Sequence, residues 1–125
     1  MSRRSWAAKF ADALRGVWLA VRHERSFRVH LPVAIAVFVL AAVFRCEWLE
    51  WCVLVGCVGA VLAAETFNSS LEALFHAQDD AVKNRVSGVL DRAAGAVLLV
   101  SVTAAAIGLI VFGRRLLMLV EPGTE

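Results

Sequence analysis

The sequence predicts an all-α membrane protein, an N-terminal amphipathic surface helix followed by three transmembrane helices. Three observations carry that reading. The 125 residues are 60% hydrophobic with no tyrosine, and their mean hydropathy is +0.71, whereas a soluble domain is about 45–50% apolar. The apolar residues are gathered into long runs, and a bilayer core needs roughly 20 residues per helical span. Arg3, Arg4, Lys9, Arg15, Arg22, Arg25 and Arg28 crowd the N-terminal end, against only Asp12 and Glu24. The long runs predict a multi-pass membrane protein, and this asymmetry puts its N-terminus in the cytoplasm. There is room for one domain, residues 1–125, and no compact apolar stretch with a small-residue cleavage site follows the basic start.

Residues 5–23 read as the surface helix. Phe10, Leu14, Val17, Trp18 and Val21 recur every three or four residues, while Arg4, Arg15 and Arg22 align elsewhere. Such a helix rests in the membrane interface. The segment His23–His30 is dense in ionisable groups, and Glu24 stands out. An acid beside an anionic membrane surface is repelled unless a cation, either an arginine or a metal, holds it.

The first span is 29–44, bounded by Arg28 and Arg45, which can extend outward from a short span. Pro32 is expected in the first turn, where a missing N–H costs little. Trp48 and Trp51 in the external connection suit the aromatic belt. The second span, 48–67, has a small-residue middle in which Gly56 and Ala60 permit close helix packing. No helix breaker follows until His76, so the helix is expected to continue past the span. The connection His76–Arg92 is long for a helix–helix turn. Its Asp79-Asp80 pair reads as solvated, with metal binding as the alternative. The third span, 93–112, carries no charge, and Ala94-Gly95-Ala96 at its start would admit a close neighbour. Cys46, Cys52 and Cys57 have no metal-site spacing. They read as small apolar packing residues, with a Cys46–Cys52 disulfide as the alternative.

Chemistry concentrates where the second span ends. Glu65, Asn68 and Glu72 are spaced i, i+3, i+7 and share one helix face. Ionisable residues at a membrane span are costly and are functional-site candidates by default; the alternative is a polar helix end leaving the bilayer with its acids merely solvated. With Glu24 at the same interface, they suggest divalent-metal and phosphate chemistry: carboxylates hold Mg²⁺ through one or two protein ligands plus substrate phosphates. Phosphoryl transfer needs positioning, charge neutralisation and a group that orients the nucleophile. There is no GxxxxGK[ST] loop and no protein-kinase catalytic-loop motif. The basic N-terminal arm comes with no nucleic-acid-binding motif, so no nucleic acid is expected as a partner.

Glu24-Arg25-Ser26-Phe27-Arg28-Val29-His30, then Glu65-Thr66-Phe67-Asn68-Ser69-Ser70-Leu71-Glu72, then Asp91-Arg92-Ala93-Ala94-Gly95-Ala96 resemble the prokaryotic diacylglycerol kinase and undecaprenol kinase family. That family's pattern is E-x-x-[FM]-R, E-x-x-N-[ST]-x-[IL]-E, and a K-D followed by small residues. The likeness runs from Phe10 to Phe112, and Gly16 matches the glycine of the family's surface helix. It implies a small, trimeric, ATP- and Mg²⁺-dependent lipid kinase of the cytoplasmic (inner) membrane, with sites shared between subunits. Carried over by position, Glu65 matches the general base. Glu24 and Glu72 match the Mg²⁺ ligands that hold the nucleotide phosphates, Asn68 a residue supporting nucleotide and base, and Asp91 the acid of the nucleotide-contacting K-D pair. The first and third stretches look closer to undecaprenol-type members than to diacylglycerol-type ones.

Two positions depart from the pattern. Leu90 stands where the family has lysine, and His76 where an acid usually follows Glu72 by four. Lys83, Arg85 or Arg92 would have to supply the missing cation. The rival readings are a catalytically weakened lipid-binding relative, favoured by Leu90, and a small transporter using Glu65 as its coupling carboxylate. A transporter would want that acid nearer the bilayer middle.

Overall fold

The computed structural model describes residues 3–121 and 123. Its helices are α1 (Trp6–His23), α2 (Phe27–Val43), α3 (Trp48–His76), α4 (Asp80–Arg85) and α5 (Val89–Val120), and no strand occurs among the described residues. The Ser5 hydroxyl caps α1 by accepting from the Ala8 N–H at 3.2 Å, satisfying a donor that the first turn leaves free. The chain then bends by 100° between α1 and α2. On α1, Phe10, Leu14, Val17 and Trp18 are all more than half exposed, so most of the predicted apolar stripe faces away from the rest of the chain. Buried Ala20 and half-buried Val21 face inward, where α1 touches α2 and α3. This is the arrangement of a helix lying in an interface.

The three long helices run antiparallel in sequence order. Between α2 and α3, His30 meets Glu65 at one end, and Phe38 stacks on Trp51 with centroids 5.9 Å apart towards the other. The α3–α5 interface is the most extensive in the chain. At its far end Arg115 reaches Glu50 at 3.7 Å and Glu47 at 3.8 Å and donates to the Arg45 carbonyl. Phe44 and Phe112 make an edge contact there at 5.8 Å. Ala93, Val97, Ser101, Ala104 and Gly108 form a half-buried stripe on α5, at the three-to-four-residue spacing of a single helix face.

Helices α3 and α5 are each long and apolar enough to cross a membrane, and counting the bent α1–α2 pair as one span makes up to three. Alone, α2 has 17 residues, about 26 Å at 1.5 Å per residue, a little under the roughly 30 Å of a hydrocarbon core.

Several local expectations change. Helix α2 starts at Phe27, so Pro32 lies beyond the first turn and leaves the Arg28 carbonyl without its i+4 donor. Arg28 is exposed at the helix end, where water can serve that carbonyl. Gly56 and Ala60 are exposed, because α3 turns Leu54 inward instead. A Cβ on Gly56 or Gly95 would meet nothing within 4 Å, so neither glycine serves a close helix approach within this chain. The connection after α3 contains a helix of its own, α4, and leaves Asp79 and Asp80 exposed. Gly88 precedes the first turn of α5, and its φ of 82° is a left-handed conformation that side chains disfavour.

All three cysteines are free thiols, so Cys46 and Cys52 are not bridged. Cys46 and Cys57 are half-buried, as packing residues are, and Cys52 is exposed. Burial pushes the Cys46 thiol above its ordinary range. The Glu50 charge and hydrogen bond push it further, and Arg115 opposes them. A raised thiol holds less thiolate at a given pH and reacts more slowly. In a background with Cys52 and Cys57 replaced by serine, Glu50→Gln removes part of the upward push. Maleimide labelling of Cys46 at pH 8 then accelerates; an unchanged rate would mean that Glu50 does not govern the thiol.

Candidate active site at the acidic end of the bundle

The antiparallel order gathers the end of α1, the start of α2, the late part of α3 and the start of α5 at one end of the bundle. All five residues singled out in the sequence lie there. Glu65 is the buried charged residue among those described, at 6% exposure. A carboxylate taken out of water needs a hydrogen-bonding partner, because an unpaired buried charge is strongly destabilising. His30, at the end of the first turn of α2, supplies it: His30 Nε2 and Glu65 Oε1 are 2.8 Å apart.

One turn further along α3, Asn68 Nδ2 donates to Glu72 Oε1 at 3.2 Å. The other amide atom, Asn68 Oδ1, is buried without a hydrogen-bond partner, an uncommon state for a buried acceptor and a marker of an unfilled role. The intervening hydroxyls are occupied by the helix backbone. Thr66 donates to the Leu62 carbonyl, and Ser69 and Ser70 both donate to the Thr66 carbonyl.

Glu24 sits half-buried at the elbow between α1 and α2. No hydrogen bond or ion pair engages its carboxylate among the described residues. Asp91 lies in the first turn of α5, where the helix dipole favours negative charge. It lines a hollow of about 350 Å³ with Phe75, Lys83, Asn84 and Leu90. The Lys83 ammonium lies 6.0 Å from the Phe75 ring centroid, while Arg92 is drawn back to donate to the Gly88 carbonyl at 3.3 Å. Of the three candidate replacements for the lysine missing at position 90, Lys83 is the one lining this hollow.

The chain thus joins Glu65 to His30 and Asn68 to Glu72, and leaves Glu24 and Asp91 unjoined to either pair. Among the described residues no three His, Cys, Asp or Glu side chains lie close enough to hold a metal. Between the three long helices an apolar cleft of about 270 Å³ runs past His30, lined by Val33, Ala34, Leu54, Val61 and Ala104 among others.

The prokaryotic diacylglycerol kinase family matches residues 11–112, a stretch that includes all five site residues. The chain belongs to that family. Undecaprenol kinase of Bacillus subtilis (strain 168) is 30% identical over 107 residues, covering 86% of this chain and 87% of that protein. No solved structure matches the chain. As a member of the diacylglycerol kinase family with a curated kinase relative, the protein is a membrane lipid kinase.

The residue that sequence reasoning passed over is His30. In the sequence it is one of several interfacial charges, yet it is the last ionisable group of α2, beyond Arg28 and followed only by apolar residues. An ionisable residue within a span wants a partner from a neighbouring helix, and that signal was available.

Proposed function

We propose that this kinase transfers the γ-phosphoryl group of ATP to the hydroxyl of a membrane lipid alcohol, undecaprenol in preference to diacylglycerol, at the cytoplasmic face of the inner membrane. The observation that carries the reading is a buried carboxylate, Glu65, hydrogen-bonded to a histidine that also lines the apolar cleft. A lipid's chain suits such a cleft, and its hydroxyl suits the carboxylate. The alcohol oxygen forms its bond to the γ-phosphorus as the bond to the leaving ADP oxygen breaks, and the hydroxyl proton passes to Glu65.

Glu24 and Glu72 would hold Mg²⁺, the hard oxygen-seeking ion that neutralises phosphate charge. The donor set fits it. This ion is usually held by one or two carboxylates plus phosphates, the two that Glu24 and Glu72 would supply. Asn68 steadies Glu72, and its unpartnered oxygen remains an acceptor for nucleotide or bound water. Asp91 contacts the nucleotide from α5. The preference for undecaprenol follows the Bacillus relative, whose name states that substrate. The exposed small-residue face of α3 at Gly56, Ala60 and Ala63 supports a homotrimer, since small residues let membrane helices approach closely.

The test is purified protein in detergent with Mg-ATP, offered undecaprenol and diacylglycerol in parallel. Phosphorylated undecaprenol forming faster is the expected result. Turnover of neither lipid, with lipid binding intact, would replace the reading with a lipid-binding relative.

The hollow around Asp91 also bears on Leu90. In our reading Lys83 provides the cation there, so Lys83→Gln raises the KM for ATP by about 10-fold, the factor that a lost 1.4 kcal/mol contact gives. Adding Leu90→Lys to that variant restores it. If Lys83→Gln leaves the KM unchanged, the compensating cation lies elsewhere.

A further inference from the structure

We infer that His30 is a positioning residue for Glu65: its Nε2–H donates to Glu65 Oε1, holding the carboxylate in one orientation with Oε2 left for the lipid hydroxyl. The inference rests on Glu65 being the base, and the geometry carries the rest. The two groups are 2.8 Å apart, with side-chain exposures of 25% for His30 and 8% for Glu65. Hydrogen bonds between a donor and an ionised acceptor at this distance are roughly twice as strong as neutral ones.

Glutamate has a flexible side chain, and a base misplaced by about 1 Å can lose about 100-fold in rate. No other side chain among the described residues holds Glu65, so its orientation depends on the imidazole. The pairing also crosses from α2 to α3. It therefore sets the carboxylate against the cleft that both helices line. Without the imidazole, a buried carboxylate has no donor, and it either turns towards water or takes up a proton. Both outcomes disable a base while leaving the side chains assigned to nucleotide and Mg²⁺, Glu24, Asn68, Glu72 and Asp91, unaltered.

Two substitutions separate positioning from packing. His30→Leu removes the donor and keeps apolar bulk; His30→Gln offers an amide N–H in place of Nε2–H. We expect His30→Leu to lower kcat by about 100-fold with the KM for Mg-ATP unchanged, and His30→Gln to return most of the rate. Adding Glu65→Gln to His30→Leu should cost nothing beyond Glu65→Gln alone, because residues acting as one unit are not additive. An equal fall in both variants, or an undiminished kcat in His30→Leu, would overturn the proposal.

A second readout needs no turnover. With histidine labelled with ¹⁵N in micelles, His30 is expected as the Nε2-protonated tautomer, and Glu65→Leu should shift its Nε2 resonance. A resonance indifferent to Glu65 also overturns the proposal. Absence of lipid phosphorylation by the unaltered protein, with the shift present, instead counts against the kinase substrate reading and leaves the pairing standing.

Discussion

Glu65→Gln is expected to lower kcat for lipid phosphorylation by about 10²–10⁴-fold, the range that a positioned general base contributes, without unfolding the protein. Glutamine has the same shape and keeps an oxygen that can accept from His30 at the position of the 2.8 Å contact. What it lacks is the ability to take a proton. A neutral amide is also less costly than a charge at a site with 6% exposure, so thermal stability in detergent should hold or rise slightly. The KM for Mg-ATP should change little, since the nucleotide is assigned to other residues. The measurement is a steady-state assay paired with a thermal melt. Retained kcat in a folded Glu65→Gln protein would remove Glu65 from the role of base.

Glu72→Gln should produce the second-largest effect, of a different kind. Asn68 donates to Glu72 Oε1 at 3.2 Å, and a glutamine oxygen can accept the same bond. The local arrangement therefore survives while the negative charge is lost. If Glu72 holds Mg²⁺, half-maximal activity should need about 10–100-fold more of the ion, the order of loss seen when a metal site loses a supporting group. Rate at saturating Mg²⁺ should recover substantially. This contrasts with Glu65→Gln, which no amount of Mg²⁺ should rescue. A Mg²⁺ titration identical to that of the unaltered protein would show that Glu72 is not a ligand.

Much of the fold was legible because hydrophobic periodicity and length are local properties. The apolar runs announced the long helices, and the stripe at Phe10, Leu14, Val17 and Trp18 announced a helix that stays outside the bundle. The absence of a breaker between Trp48 and His76 announced one continuous α3. That continuity put Glu65, Asn68 and Glu72 on one face, and the Asn68–Glu72 bond follows from their i, i+4 spacing.

What escaped was whatever depends on register between helices. His30 and Glu65 are 35 residues apart, and only the pairing of α2 with α3 brings them together. Gly56 and Ala60 looked like packing positions because small residues permit close approach, but composition does not say which face a helix turns inward. Here Leu54 and Glu65 take the inner face. Pro32 was misplaced because the helix starts at Phe27, two residues before the apolar run does. The hollow that groups Lys83 with Asp91 is lined by residues of α3, α4 and α5 together, and the charge pattern carries no signal for that convergence.

The unbroken α3 has one more consequence. Glu65 and Glu72 ride on the same rod of 29 residues, seven positions and therefore roughly 10 Å apart along its axis. In the proposed mechanism the helix acts as a gauge: the depth at which Glu65 would meet a hydroxyl and the height at which Glu72 would meet phosphate charge are set by one fixed interval. No loop lies between them to absorb a mismatch. A single residue inserted between the two acids would swing one about 100° around the axis from the other, so the interval is as much a part of the site as the side chains at its ends.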